Sequence, residues 1–221
     1  MTATSTKPLD PKAVQEILAS HLSMYRKKVP FYQTAMLDSL RELWLGPCDK
    51  LLDVGAGTGV IAEAISKLFP VRHVQAVDVV DRFCTSLSVA TREYDGTTLP
   101  FASRSFDAAT LNNVMHHVPV TSRVNLLRDI RRVVDGPLYV KDHETRGRLD
   151  DLRLATLDAI GNIPFGGMVR ARYLDRKEWV SLAAQSGYRI AARAQLGLYR
   201  DAPYAALFPN RLEVSMRFEP A

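Results

Sequence analysis

The residues with the most chemistry in them are Leu51–Gly59, reading LLDVGAGTG. An apolar run ends at Asp53. Gly55, Gly57 and Gly59 then alternate ahead of an amphipathic stretch carrying Ile61, Ala64, Ile65 and Leu68. Alternating glycines let the backbone turn sharply and come within contact distance of a ligand, where a Cβ would intrude. Such a ligand lies at the strand carboxyl ends, beside a helix N-terminus whose free N–H groups favour negative charge. A dinucleotide loop has the spacing G-x-G-x-x-G. Here the third glycine comes two residues after the second, and Val60 holds the dinucleotide position. Asp53 would be awkward beside a pyrophosphate but suits an ammonium group. Asp78, ending the next apolar run, can accept both hydroxyls of a ribose. Asp95, in Tyr94-Asp95-Gly96, is placed to accept from an exocyclic amine. The set fits a nucleoside that carries an amino-acid end and no diphosphate.

With those motifs in order, Lys50–Val140 resembles the class I S-adenosylmethionine-dependent methyltransferases, and within them the small bacterial type 11 branch. The runs Leu99-Pro100-Phe101, Ser105-Phe106-Asp107 and Val114-Met115-His116-His117-Val118 carry the narrower likeness. The resemblance implies S-adenosylmethionine as cofactor. Asp53, Gly55, Ala56, Gly57 and Gly59 would hold its methionine end, Asp78 with Val79 the ribose, and Asp95 with Gly96 the adenine. Asn112, after the fourth strand, would lie beside the sulfonium. One departure is Val134-Asp135-Gly136-Pro137, where the family has a Gly-Gly turn. It alters a turn rather than the cofactor residues.

Methyl transfer from a sulfonium is an in-line displacement in which the protein supplies alignment and excludes water. A base is needed only where the acceptor has a proton to lose. His116, His117 and His143 are the candidates, since imidazole titrates near neutrality. Each could equally pack or hydrogen-bond without touching a substrate. Lys141-Asp142-His143-Glu144 is expected just past the fifth strand, where Asp142 could orient or deprotonate an acceptor. Gly161–Tyr173 offers Phe165, Met168 and Tyr173 as an apolar wall and Arg170 or Arg172 for an acidic substrate group; the alternative is a surface loop. A metal held by His116, His117, His143 and Asp142 is chemically conceivable. Adjacent helical side chains point about 100° apart, however, so no metal is expected.

Those residues need a frame. Asp10 as a cap, Pro11 in the first turn and the spacing of Val14, Ile17, Leu18 and Leu22 predict a helix. Phe31 to Trp44 predicts a second, with Tyr25 and Tyr32 either packed in the core or closing over the cofactor. Residues 1–47 therefore read as an N-terminal helical lid, and 48–221 as the methyltransferase domain, with an acceptor-side insertion at about 144–174. Strands are expected at Leu51–Val54, His73–Val77, near Ser88–Arg92, at Phe106–Leu111 and at Leu138–Val140. The crossovers predicted between them include a short helix after Asp78 and a longer one at Thr121–Val134. Helices at Leu149–Ile160 and Leu174–Ser186 precede strands at Tyr188–Ala194 and Leu212–Phe218. The fold expected is α/β: a doubly wound, mostly parallel, seven-stranded sheet closed by an antiparallel C-terminal hairpin.

The composition sets the outer limits. The chain has 221 residues, 47% of them hydrophobic, as in a globular protein. Two cysteines are too few for a disulfide framework and suit reduced thiols in the cytoplasm. Met1–Asp10 has no apolar run of the secretory kind, and nowhere is there a membrane-spanning length of apolar residues. The net charge of +5 is spread along the chain, and no aromatics interleave with its densest cluster, Arg26-Lys27-Lys28. Nucleic acid is therefore not the expected partner. The expected function is methylation of an O or N atom of a small-molecule acceptor, a specialised metabolite, by a monomer or homodimer. Methylation of RNA or protein and a non-catalytic cofactor-binding regulator are the alternatives.

Overall fold

The computed structural model describes residues 7–162 and 171–221, with side chains in the first stretch up to residue 157. Its frame is one seven-stranded sheet in the order β3-β2-β1-β4-β5-β7-β6. The strands are β1 (Cys48–Val54), β2 (Val71–Asp78), β3 (Ala90–Glu93), β4 (Ala108–Asn112), β5 (Leu138–His143), β6 (Tyr188–Gln195) and β7 (Glu213–Pro220). The first five are parallel, while β7 runs antiparallel between β5 and β6. This is the expected doubly wound sheet with its antiparallel end.

Side chains one apart on a strand face opposite ways, and the sheet separates two cores accordingly. Leu52, Val54, Ala109, Leu111, Leu138 and Val140 face one core, and Leu51, Ala108 and Tyr139 the other. The first core is closed by α4 (Arg123–Val133) and α6 (Arg176–Gln185), through Leu127, Ile130, Trp179 and Leu182. The second is closed by α1 (Pro11–His21), α2 (Phe31–Leu43) and α3 (Val60–Leu68). Asp10 caps α1 by accepting from the Lys12 N–H at 3.0 Å, as its sequence predicts. Asp175 caps α6 within a reciprocal pair with Glu178. Helix α5 (Arg148–Asn162) follows β5, and the short α7 (Tyr204–Leu207) precedes β7.

The order in which strands are added reverses between the parallel pair β1 and β4: β2 and β3 are laid down on one side, β4 and β5 on the other. A crevice opens at the strand carboxyl ends at such a switch point. The loop after β1, the end of β4 and the end of β5 all converge there.

Two expectations need correction. No helix follows Asp78. The buried Glu63 carboxylate of α3 accepts from Ser88 N–H at 2.8 Å, Val89 N–H at 3.1 Å and Ser88 Oγ at 2.6 Å, pinning the segment open. Leu87 then lies so close to Gly59 that an added Cβ would come within 2.4 Å of its Cδ1. Gly59 (φ +79°) thus serves both the turn and that approach. Second, Lys141, Asp142 and His143 belong to β5 itself rather than to a turn past it. Antiparallel pairing with β7, Lys141 against Ser215, Asp142 against Val214 and His143 against Glu213, carries the strand on through these polar residues.

Candidate active site

The loop after β1 curls back on the end of β2. Gly55 and Ala56 donate their N–H groups to the Val77 carbonyl at 2.8 and 3.0 Å, and Gly57 N–H donates to Asp78 Oδ2 at 2.7 Å. Gly57 has φ +58°, and a Cβ built on it would meet nothing within 4 Å. The turn therefore leaves open space on the face where a ligand would lie. Asp78 is buried, and its other oxygen accepts from Val80 N–H at 3.1 Å.

Asp53 is 1% exposed at the end of β1. Thr110 Oγ1 donates to its Oδ1 at 2.6 Å and Asn112 Nδ2 at 3.3 Å. Burial pushes its carboxyl up to about 7, against the lowering by those two donors, with the nearby Asp78 adding to the rise. Asn112 Oδ1 is buried and has no donor among the described residues. A buried acceptor without a donor is costly, and here it stands beside an acid that a neighbouring cation would ionise. An ammonium group supplies the missing donor and the missing charge together. This donor set fits the amino-acid end of S-adenosylmethionine.

Asp95 is exposed and forms a turn, its Oδ1 accepting from Thr97 and Thr98 N–H at 2.8 and 3.1 Å. Beside it the loops after β2 and β3 meet: a Cβ on Gly96 would stand 3.1 Å from Val79 Cγ1.

Two of the three candidate bases come together around Asp142. His116 Nδ1 lies 2.5 Å from Asp142 Oδ1, and His143 Nδ1 lies 3.5 Å from the same oxygen. Met115 N–H donates to Oδ2 at 2.9 Å and His143 N–H to Oδ1 at 2.7 Å. Asp142 is fully buried, so it meets the two imidazoles rather than open space. Against burial, which raises it, the His116 charge holds its carboxyl well below the usual range. Burial and then the Lys141 charge lower His143, which is accordingly neutral at neutral pH. Donor atoms of His116, Asp142 and His143 all lie within 4.8 Å of one another, a spacing that a divalent cation could also use. The His117 ring lies 4.1 Å from that of His116, tilted to it by 47°. Tyr173 closes the cluster, its ring centroid 5.5 Å from His116 and 5.7 Å from His143. On its other side is a cleft of about 990 Å³ lined by Thr145, Arg146, Leu152, Arg172 and Lys177. Arg172 itself pairs with Glu178 at 2.5 Å. Phe165, Met168 and Arg170 lie outside the described residues.

A second buried cluster escaped the sequence reading. Lys141 Nζ donates to Glu213 Oε2 at 2.7 Å, Asn113 Oδ1 at 2.7 Å and Tyr32 Oη at 2.5 Å. Arg200 and Tyr199 complete it on Glu213 Oε1. Against burial, which lowers it, Glu213 holds the Lys141 ammonium above its ordinary value. Glu213 in turn falls to about 2, its own burial outweighed by Lys141. Its one sequence signal is an acid opening the apolar run of β7, opposite a lysine in the apolar run of β5.

A family model described as a methyltransferase domain matches residues 52–136. No curated protein matches the chain. Among solved structures it resembles a chain from the Haloferax volcanii complex of the Trm112 methyltransferase activator with a methyltransferase (TM-score 0.65, 14% identity, 94% of this chain and 97% of that one). It also resembles the Burkholderia thailandensis 1,6-didemethyltoxoflavin-N1-methyltransferase with S-adenosylhomocysteine bound (TM-score 0.61, 16% identity, 100% and 93%). A third is the Synechocystis PCC 6803 magnesium protoporphyrin IX methyltransferase, also with S-adenosylhomocysteine (TM-score 0.60, 13% identity, 90% and 87%).

Proposed function

We propose that the chain is a class I, S-adenosylmethionine-dependent methyltransferase, on the match of residues 52–136 to a methyltransferase domain and the order of its sheet, and that it methylates an O or N atom of a small-molecule acceptor, of the specialised-metabolite kind. The observation that carries this reading is the buried Asn112 Oδ1, which has no donor among the described residues, on a side chain that bonds to Asp53. Asp53 and Asn112 would take the ammonium of the cofactor, Asp78 the ribose hydroxyls and Asp95 the adenine amine. The bound cofactor supplies an electrophilic methyl group. The chain's own part is to line up the acceptor and, where that acceptor is protonated, to take its proton.

His116 is the first candidate for that proton, because a buried carboxylate at Nδ1 fixes the imidazole and makes its far nitrogen the more basic. His143, neutral and on the same carboxylate, is the second, and His117 the third. Tyr173 would form part of the acceptor wall. Two of the structural relatives are named for non-polymeric ring systems, toxoflavin and a porphyrin, which supports a small molecule rather than a macromolecule as acceptor. The helices of residues 1–47 would close over the crevice, with Tyr32 on its rim. No helix among the described residues is long and apolar enough to cross a membrane.

Calorimetric titration tests the reading. S-Adenosylhomocysteine should bind with a Kd near the micromolar range, about −8 kcal/mol, and NAD should not bind. Asp78→Ala should abolish that binding. Unchanged affinity would remove the ribose assignment, and binding of NAD alone would remove the cofactor.

A further inference from the structure

Proton counting in the ring of Tyr32, Asn113 and Lys141 leaves one donor over. An ammonium has three N–H groups and no lone pair. Those of Lys141 are spent on Glu213, Asn113 and Tyr32. The ammonium also fixes the Asn113 amide: its oxygen must face Nζ, so its Nδ2 faces Tyr32 Oη, at 2.8 Å. The Tyr32 oxygen thus accepts from two groups that can only donate. No hydrogen bond from its own proton to an acceptor is present among the described residues. Burial raises the phenol above its ordinary range despite the lowering by Lys141, so the proton stays on. The result is an O–H clamped from two sides on a half-buried residue, with its hydrogen unspent.

The complementary vacancy is one residue away along the chain. Asn112 Oδ1 is an acceptor without a donor; Tyr32 Oη, tied to Asn113, is a donor without an acceptor. Asn113 takes a left-handed φ of +56°, and its side chain bonds into the Tyr32 ring while that of Asn112 bonds to Asp53. An α-amino acid presents an ammonium and a carboxylate from one carbon, one group for each of these two vacancies. We propose that Tyr32 donates its phenolic hydrogen bond to the carboxylate of the cofactor's amino-acid end, while Asn112 and Asp53 accept from its ammonium. This rests on the cofactor reading above and adds to it a clamp delivered by α2, an element outside the matched domain.

The test compares S-adenosylhomocysteine with 5′-methylthioadenosine, which keeps the nucleoside and thioether but has no amino-acid end. Both are titrated calorimetrically into the intact wild-type chain and into Tyr32→Phe. A hydrogen bond to a charged group is the strong kind, so the variant should bind S-adenosylhomocysteine about 10- to 100-fold more weakly and 5′-methylthioadenosine within about twofold of wild type. Equal S-adenosylhomocysteine affinity in the two proteins overturns the proposal and leaves the cofactor reading standing. Equal losses for both ligands overturn it too, as collapse of the crevice. Failure of wild type to bind S-adenosylhomocysteine removes the cofactor reading itself. Should the variant fail to fold, 3-fluorotyrosine placed at position 32 alone gives a second readout. Its fluorine resonance should move with S-adenosylhomocysteine and stay put with 5′-methylthioadenosine; an identical response to both overturns the proposal.

Discussion

Asp53 sits with its carboxyl near 7, and the proposed seating of the cofactor's ammonium beside it would make cofactor binding a proton-linked event. Ligand-free protein at neutral pH holds this group about half protonated. An ammonium beside it favours the carboxylate. Association should therefore release about half a proton at pH 7 and approach one proton somewhat below it, and affinity should fall as pH drops below that value. Calorimetry in buffers of different ionisation enthalpy measures the release directly. The same group has the opposite sign in stability. Its folded value lies above its ordinary 3.8, so it favours the ligand-free fold below that pH and loses this contribution as pH rises to about 7. Asp53→Asn should abolish the proton release. At the same scale, Asp53, Asp78 and the three glycines were legible because their spacing is itself the chemistry. Thr110 and Asn113 were not. A threonine in a strand and a second asparagine in a turn have ordinary propensities, and their roles follow from contacts the fold makes.

Elements that pair local neighbours follow from local patterning, and those that rely on distant residues do not. The α1 cap at Asp10 and the α6 cap at Asp175 are set by residues within one turn. The segment after Asp78 reads as a short helix, yet Glu63 from α3 holds it open. Strand β5 reads as ending at Val140 because a lysine, an aspartate and a histidine look like a turn. Pairing with β7 supplies Glu213 for the lysine, while the turn after β4 supplies His116 for the aspartate. The Lys141–Glu213 pair is thus fully buried, on two neighbouring strands. Removing one partner leaves the other charged and bare, at a cost of about 3–5 kcal/mol. Lys141→Met alone should lower stability by that order in denaturant unfolding. The double change Lys141→Met with Glu213→Leu should recover much of it, and a double variant no better than the single would show that the pair itself is not the source.

For the molecule as a whole, the same buried carboxylates set the acid limit. Glu213, ordinarily near 4.5, is held at about 2 in the fold, and Asp142 lies well below its own ordinary value. A depressed carboxyl contributes stability above its ordinary pKa and loses it as pH falls through the folded value. Global stability should therefore decline as pH drops from about 4.5 toward 2, and in that window the chain should lose both cores together. Circular dichroism against pH would register it, and Glu213→Gln should flatten the decline. The pairing that brings Glu213 to Lys141 spans 72 positions along the chain. Contacts of that reach carry a large loop-closure cost and form late. A nascent chain can lay down β1 to β5 and still hold Lys141 against nothing, so the ligand end of the sheet acquires its charge balance only after β7 has left the ribosome and threaded in beside β5.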